Sequence, residues 1–177
     1  RLQKVRDSES QFVQLAREAV ETYAQEREVI APPEELPSEL IDQAGVFVSI
    51  KKNGNLRGCI GTTKPTEANL AKEIIANAVK AGFKDPRFNE ITVSELEELT
   101  YSVDILGDPE HIDSKDKLDP EKYGVIVRKG KSTGLLLPNL EGINSVEKQI
   151  EIAKRKAGLP VEDDEIELMR FEVTRHQ

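Results

Sequence analysis

Apolar residues recur along this chain at two different spacings, and each spacing predicts a different element. Where they recur every three or four positions, they mark one face of a helix. That spacing predicts three helices, over 9–29, 66–82 and 145–157. The residue types at their starts predict Asp7 or Ser8 as the N-cap of the first helix and Thr66 as the N-cap of the second.

Where apolar and polar residues alternate, the pattern predicts strands instead. Such runs occur at 45–52, 56–61, 100–107, 123–129, 133–138 and 165–174, whereas the polar segment 108–122 is predicted to be irregular. Two pairs of these strands are joined by turn residues, at Asn53-Gly54-Asn55 and Gly130-Lys131-Ser132, which indicates hairpins. Because hairpins pair antiparallel and single helices lie between them, we expect an α+β fold. Its mostly antiparallel sheet should have about six strands, packed by the three main helices.

Two registers fit the first hairpin, and they place Cys59 in different surroundings. A two-residue turn at Asn53-Gly54 puts Cys59 among apolar side chains, where it is a small inert hydrophobe. A three-residue turn that includes Asn55 shifts the returning strand by one position, so that Cys59 shares a polar face with Arg57 and Lys51. The Asn-Gly pair favours the first register. We favour the second, because burying the apolar face outweighs the turn preference.

Composition and charge narrow the classes of function. The chain has 177 residues and a net charge of −8, so a nucleic-acid role needs a local basic patch, for which the candidates are Lys51, Lys52, Arg57 and Lys64. No apolar run is long enough to cross a membrane. The single cysteine excludes an internal disulfide and predicts a reducing, cytoplasmic location. With only two histidines, no Cys/His cluster has zinc spacing, so we expect neither a metal nor a cofactor.

The returning strand of the first hairpin carries the candidate chemistry. Beside Arg57 and Lys51, the pKa of the Cys59 thiol is expected to fall, which increases its thiolate character and suits a nucleophile. The alternative is that Cys59 only packs, since no histidine lies nearby in the sequence to act as a base. After Gly61, the turn at 61–64 offers free N–H groups, two hydroxyls and an ammonium that suit an anion, unless it is an ordinary connection to the next helix.

Residues 56–62 read LRGCIGT, which resembles the signature of the AMMECR domain family. Further segments resemble the family in the same order: KAGFKDPRF at 80–88, TYSVDIL at 100–106, YGVIV at 123–127, GLLLP at 134–138 and KAGL at 156–159. The resemblance covers about 10 to 175, so we expect an AMMECR-like domain over 9–177 after a linker-like segment at 1–8. That polar start without Met is expected of a domain cut from a longer fusion, or alternatively of a trimmed or processed terminus.

The resemblance implies an α+β fold with a larger and a smaller subdomain and a cleft at the LRGCIGT segment. It also implies partners, because family members that look like AmmeMemoRadiSam system protein A occur beside a Memo-like protein or domain and a radical SAM protein. Carried over by position, the motif residues are Cys59 as the catalytic candidate and Arg57, Gly58, Gly61, Thr62, Asp85 and Arg87 as binding candidates. Asp85 is expected to pair with Arg87 or to hold Arg57, and Phe88 to anchor its loop in the core.

Three functions stay open at this point. The chain is an enzyme or enzyme subunit acting on a small molecule, or a non-catalytic domain that docks on such partners, or, as the least favoured reading, a nucleic-acid-binding domain. The absence of an obvious acid–base pair supports the second. Whether the protein is itself an enzyme is not decided by the sequence.

Overall fold

The structure, a computed structural model, describes residues 9–177. The predicted linker at 1–8, with the predicted caps Asp7 and Ser8, lies outside the described residues. In chain order the helices and strands are α1 (Gln11–Glu26), β1 (Val46–Lys52), β2 (Asn55–Gly61), α2 (Leu70–Phe83), β3 (Leu99–Leu106), β4 (Glu110–Ile112), β5 (Gly124–Lys129), β6 (Ser132–Leu136), α3 (Val146–Lys156), β7 (Glu167–Phe171) and β8 (Val173–His176). Short 3-10 turns occur at Ser38–Leu40, Val93–Glu98 and Lys115–Lys117.

The chain divides into two compact units. The first comprises the described part of Arg1–Leu106 together with Thr174–Gln177, and the second is Gly107–Val173. The first unit contains a four-stranded sheet in the order β2-β1-β3-β8, and the second contains one in the order β4-β7-β5-β6. The predicted α+β class and its antiparallel pairing are confirmed. The strands form two sheets of four, however, where the alternation of residues had predicted one sheet of about six.

Both units repeat one order of elements. Each has a hairpin, then a helix, then a strand that pairs with the first strand of the hairpin: β1, β2, α2 and β3 in the first unit, and β5, β6, α3 and β7 in the second. A short strand, β8 or β4, completes the edge of each sheet. The sequence shows no matching repeat, so what recurs is the topology and not the residues.

The core of the first unit lies between its sheet and helices α1 and α2. Along β1 the side chains alternate, and Val46, Val48 and Ile50 are fully buried. The buried stripe of α2 is the one that the sequence predicted, with Leu70, Ile74, Ala78 and Ala81. The opposite face of the sheet, which we call the outer face, therefore receives the alternate residues of each strand.

Two helix starts differ from the prediction. Ser10 caps α1 by accepting a hydrogen bond from the Val13 N–H. Helix α2 begins at Leu70 with Asn69 as its cap, and the predicted cap, Thr66, lies in the preceding loop. The reason is that Thr66 donates its N–H and its hydroxyl to the carboxylate of Glu73, and so does not serve the helix.

Three strand predictions are also corrected. The polar segment 108–122 contains the short strand β4. The single predicted strand at 165–174 is two strands, β7 and β8, which belong to different sheets and are separated by Glu172. The second hairpin turns through two residues, Gly130 and Lys131, because Lys129 pairs with Ser132.

Candidate functional site

The first hairpin combines the two registers that the sequence left open. At the turn, Lys52 pairs with Asn55, and both Asn53 and Gly54 have positive φ, as the two-residue turn requires. Beyond Arg57, the register shifts by one residue, so that Ser49 pairs with Cys59. A β-bulge at Arg57 therefore satisfies both the turn preference and the burial of the apolar face.

The shifted register places Cys59 on the outer face, where it is partly exposed. Its Sγ lies 3.2 Å from the Oγ of Ser49, the residue paired with it on β1. Ser49 in turn pairs with Ser102 on β3, so a thiol and two hydroxyls follow one another across three strands.

Asp85 and Arg87 hold the main chain of Cys59. The Cys59 N–H donates to Oδ2 of Asp85 at 3.0 Å, and Arg87 donates to the Cys59 carbonyl at 3.2 Å. The Arg87 guanidinium also donates two hydrogen bonds to Asp85, at 3.0 and 2.8 Å. These bonds hold the pKa of Asp85 far below its usual range, although its burial acts in the opposite direction. The predicted pairing of Asp85 with Arg87 is confirmed.

Arg57 is bound by a different carboxylate. Its guanidinium donates to both oxygens of Glu95, at 2.9 and 3.1 Å, and to the carbonyls of Asn89 and Glu90. The hydrogen bonds from Arg57 lower the pKa of Glu95 to about 2. The alternative prediction, that Asp85 holds Arg57, is therefore wrong. Through these hydrogen bonds, Arg57 links the β-bulge to the segment 89–95, which follows α2.

The pKa of the Cys59 thiol moves in the direction opposite to the prediction. Burial raises it above its ordinary value, and the charges of Asp104 and Asp85 add to that effect. The hydrogen bond with Ser49 and the charge of Arg87 lower it without cancelling the rise. The expected direction of this pKa is therefore wrong, chiefly because the thiol is buried. The predicted cation, Arg57, is bound by Glu95.

A third arginine–carboxylate pair lies on the same sheet. Asp104 of β3 is 2% exposed and accepts two hydrogen bonds from Arg175 of β8, at 2.7 and 2.9 Å. The sequence analysis did not identify this pair. The one available signal was a charged residue inside the otherwise apolar run TYSVDIL, but its partner is 71 positions away and could not be chosen from the sequence.

The two glycines of the motif have packing roles. A Cβ on Gly58 would lie 2.0 Å from the carbonyl oxygen of Ala81, so glycine allows α2 to approach β2. A Cβ on Gly61 would lie 2.2 Å from the ring of Phe47, which covers that position. Phe88, predicted to anchor its loop in the core, is only partly buried, with the Arg87 guanidinium over its ring. Ile91 is the buried apolar residue of that loop.

The turn at 61–64, predicted as an anion site, belongs to a loop that already holds an anion of the protein itself. Glu73, only 1% exposed, accepts hydrogen bonds from the Thr62 hydroxyl, from the N–H and hydroxyl of Thr66, and from the Glu67 N–H. Burial alone would raise the pKa of Glu73, but these bonds hold it below its ordinary value. Thr62 therefore connects the end of β2 to α2.

Two hollows adjoin the motif. One, of about 270 Å³, lies on the outer face and is lined by Ser49, Lys51, Thr100, Tyr101, Ser102 and Gln177. The other, more open and of about 410 Å³, is lined by Arg57, Pro86, Arg87, Phe88 and Asn89. The hollow on the outer face is the one lined by Ser49, which is hydrogen-bonded to the Cys59 thiol.

The candidate basic patch is largely neutralised. Arg57 is bound to Glu95, and Lys52 lies 3.2 Å from Glu95 and 3.6 Å from Glu98. Lys51 and Lys64 stay exposed. Across residues 9–177, no helix is both long and apolar enough to cross a membrane.

Comparison with known proteins identifies relatives over nearly the whole chain. A protein of Thermotoga maritima is 48% identical over 171 residues, which cover 96% of this chain and 98% of that protein. A protein of Clostridium acetobutylicum is 49% identical over 168 residues, but the match spans only 36% of its length. The crystal structure of the uncharacterised protein PH0010 from Pyrococcus horikoshii superposes with a TM-score of 0.85 at 32% identity, covering 93% of this chain and 88% of that one. The sequence profile of the AMMECR1 family matches residues 13–176. The chain therefore belongs to the AMMECR1 family.

Proposed function

We propose that this chain is a ligand-binding subunit of an enzyme system and that its site is the outer face around Cys59. In this proposal it acts with a Memo-like protein and a radical SAM protein, beside which the family members that look like AmmeMemoRadiSam system protein A occur. Cys59 lies beside the ligand site, hydrogen-bonded to Ser49, and supplies no nucleophile. The chain works in the cytoplasm, an expectation that rests on its single cysteine.

The observation that carries the proposal is the set of three arginine–carboxylate pairs around one strand segment. Asp85 and Asp104 are 4% and 2% exposed, and the side chain of Glu95 is 13% exposed. Because burying a carboxylate costs desolvation, which its arginine partner must offset, such pairs add little to stability compared with apolar residues of the same size. Three of them near Cys59 are therefore better explained as positioning devices than as a source of stability.

The state of the thiol supports binding over catalysis. A nucleophilic cysteine needs a lowered pKa or an adjacent base, whereas burial raises the pKa of Cys59. Its hydrogen-bond partner, Ser49, is a hydroxyl that does not accept a proton at neutral pH. A neutral thiol beside hydroxyls is suited to contacting a bound molecule.

The lengths of the relatives support the proposal that the domain works with partners. The match covers nearly all of the T. maritima protein but about a third of the C. acetobutylicum protein. The same domain is thus found alone and inside a longer chain, which is common for subunits that act together.

The test mixes the purified chain with the Memo-like and radical SAM proteins of the same genome. Two quantities are measured: complex formation by sedimentation velocity, and the rate at which the mixture consumes S-adenosylmethionine. We expect the chain to join the complex and to raise the rate. Asp85→Asn, which loosens the main chain of Cys59, should reduce that stimulation by about tenfold or more.

The matched control is Asp163→Asn. Asp163 also accepts a hydrogen bond from a cationic side chain, that of Lys129, but it lies in the second unit. This variant should behave as the unmodified chain does. A chain that neither associates with these proteins nor changes the rate would overturn the proposal.

A further inference from the structure

The hollow on the outer face is lined by a ladder of hydrogen-bonding groups. Ser49 faces Ser102 across β1 and β3, and Lys51 faces Thr100 two pairs further along, on the same face of the sheet. Three residues that carry hydroxyls and one lysine thus line a hollow of about 270 Å³. Hydroxyls and an ammonium supply several donors that fit carboxylate or phosphate oxygens.

Lys51 is the one charged side chain among those that line this hollow, although the chain as a whole is acidic. Lys51 has no ion-pair partner among residues 9–177, whereas its neighbour Lys52 lies close to two glutamates. No aspartate or glutamate side chain lines the hollow. Asp104, a buried carboxylate on that face, is paired with Arg175. Local charge therefore favours an anion and disfavours a cation.

The thiol adds no negative charge to this face. Burial keeps Cys59 protonated at neutral pH, so an anion bound next to Ser49 meets no thiolate. Had Arg57 lowered the thiol's pKa as the sequence predicted, the same position would repel an anion. The raised pKa and the free ammonium thus act in the same direction.

We infer that this hollow binds a small organic anion whose carboxylate or phosphate group lies against Lys51 and the hydroxyls of Thr100 and Ser102. The inference rests on the proposed function, for which it names the ligand class. The hollow is slightly smaller than the pockets of roughly 300–1,000 Å³ that hold drug-sized ligands. Its occupant is therefore a small metabolite and not a nucleotide or a peptide.

The other donor groups of the motif are already occupied. The loop at 62–67 donates to Glu73, and the Arg87 guanidinium donates to Asp85 and to the Cys59 carbonyl. Lys52, Arg57 and Arg87 each form an ion pair. Lys51 lines the outer-face hollow and has no ion-pair partner among the described residues.

The experiment titrates the ¹⁵N-labelled chain with succinate, with its neutral diamide succinamide, and with inorganic phosphate. Amide shifts are followed by NMR at residues 49–51 and 100–102. We expect succinate, phosphate or both to move these signals in a saturable way, and succinamide to leave them in place. Which anion binds more tightly identifies the group that the hollow prefers.

Two variants locate the site. Lys51→Gln should weaken anion binding by about tenfold or more, since it removes a charge-assisted hydrogen bond. Lys64→Gln removes an equally exposed lysine from the rival turn at 61–64 and should change nothing. Equal losses in both variants, or a loss only with Lys64→Gln, would overturn the inference.

Two further outcomes would also overturn it. Saturable shifts with succinamide would show that the ligand class is wrong while leaving the proposed subunit role intact. If none of the probes shifts these signals, the anion site is absent, and the subunit role is then judged by association and S-adenosylmethionine consumption, which do not depend on these probes.

Discussion

Asp85 lies at the centre of the contacts that hold Cys59 in place. Because β2 is an edge strand, the outward N–H and carbonyl of Cys59 have no neighbouring strand to pair with. Asp85 accepts from the first and Arg87 donates to the second, so a side-chain pair replaces the missing strand. The segment is thereby fixed without closing the outer face on which the thiol lies.

The reactivity of Cys59 tests this description at the level of a single group. We expect the pH midpoint of its alkylation by iodoacetamide to lie above that of an ordinary thiol, because burial raises its pKa. Arg87→Gln should raise the midpoint further, since the charge of Arg87 lowers the pKa of the thiol. The measurement is the alkylation rate of the folded chain as a function of pH.

The matched variant for this measurement is Arg57→Gln. Its guanidinium is bound to Glu95, so its loss should move the midpoint less than the loss of Arg87 does. A midpoint below that of a free thiol, or a larger effect at Arg57, would restore the thiolate prediction.

Several residue contacts could not be read from the sequence. The motif pointed to Arg57, Cys59, Asp85 and Arg87, and three of these do lie together. The sequence did not reveal that Arg57 binds Glu95, one of several glutamates in a short acidic turn. Pairing of this kind depends on tertiary placement, which local pattern does not encode.

The element that decides the site is the bulged hairpin of β1 and β2. The Asn-Gly turn favours one register and burial of the apolar face favours another, shifted by one residue. The β-bulge at Arg57 inserts one unpaired residue, so both registers occur in the same hairpin. The two registers were predicted as alternatives because a hairpin without a bulge can adopt only one of them. Each was correct over part of the hairpin.

The close packing of α2 on β2 gives a prediction for Gly58→Ala. The added methyl group would overlap the Ala81 carbonyl oxygen, so the strand or the helix must move. We expect a loss of about 3 kcal/mol in the free energy of unfolding, at the upper end for overpacked positions. Urea denaturation measures it.

Gly107→Ala is the control, because a Cβ there meets its nearest neighbour at 3.4 Å, which is ordinary contact. Its unfolding free energy should change by less than about 1 kcal/mol. If both variants are equally stable, helix α2 does not require a glycine at position 58.

Loop chemistry explains why the start of α2 was misplaced. Thr66 has the residue type of an N-cap and follows a proline, which favoured it in the sequence. Glu73, one turn inside the helix, takes both donors of Thr66 instead. Because both donors of Thr66 bind the Glu73 carboxylate, Thr66 does not cap the helix. The sequence pattern gives no sign of this contact across seven residues.

The whole molecule consists of two units with the same order of hairpin, helix and strand. Alternation and turn residues were enough to predict both hairpins and the helices. They did not separate the sheets, because the residues at 165–174 form one uninterrupted pattern while the chain passes from β7 to β8. The three residues of β4 are too few and too polar to show a strand pattern.

The paired carboxylates of the first unit predict how stability changes in acid. The pKa values of Asp85 and Glu95, two carboxylates bound by arginines, are lowered on folding, that of Glu95 to about 2, so the unfolded chain binds protons more tightly than the folded one. Their contribution is present above about pH 4.5, the ordinary range of carboxylates, and is lost as the pH falls towards 2. Urea midpoints at pH 7, 4 and 3 should therefore decline in that order.

Glu95→Gln should make this decline shallower, because the variant no longer releases a proton on folding. Glu167→Gln is the comparison, since that carboxylate is 59% exposed beside Arg128 and should leave the slope almost unchanged. If neither variant alters the slope of the urea midpoint against pH, the acid sensitivity comes from other groups.

The most direct test of the proposed ligand site compares Cys59→Ser with the unmodified chain in the proposed mixture of this protein, a Memo-like protein and a radical SAM protein. If the segment around Cys59 holds a ligand, serine keeps a hydroxyl near Ser49, and S-adenosylmethionine consumption should stay within about tenfold of the original rate. A fall of about a thousandfold or more, with complex formation intact, would show that the sulfur takes part in the reaction and would contradict the account.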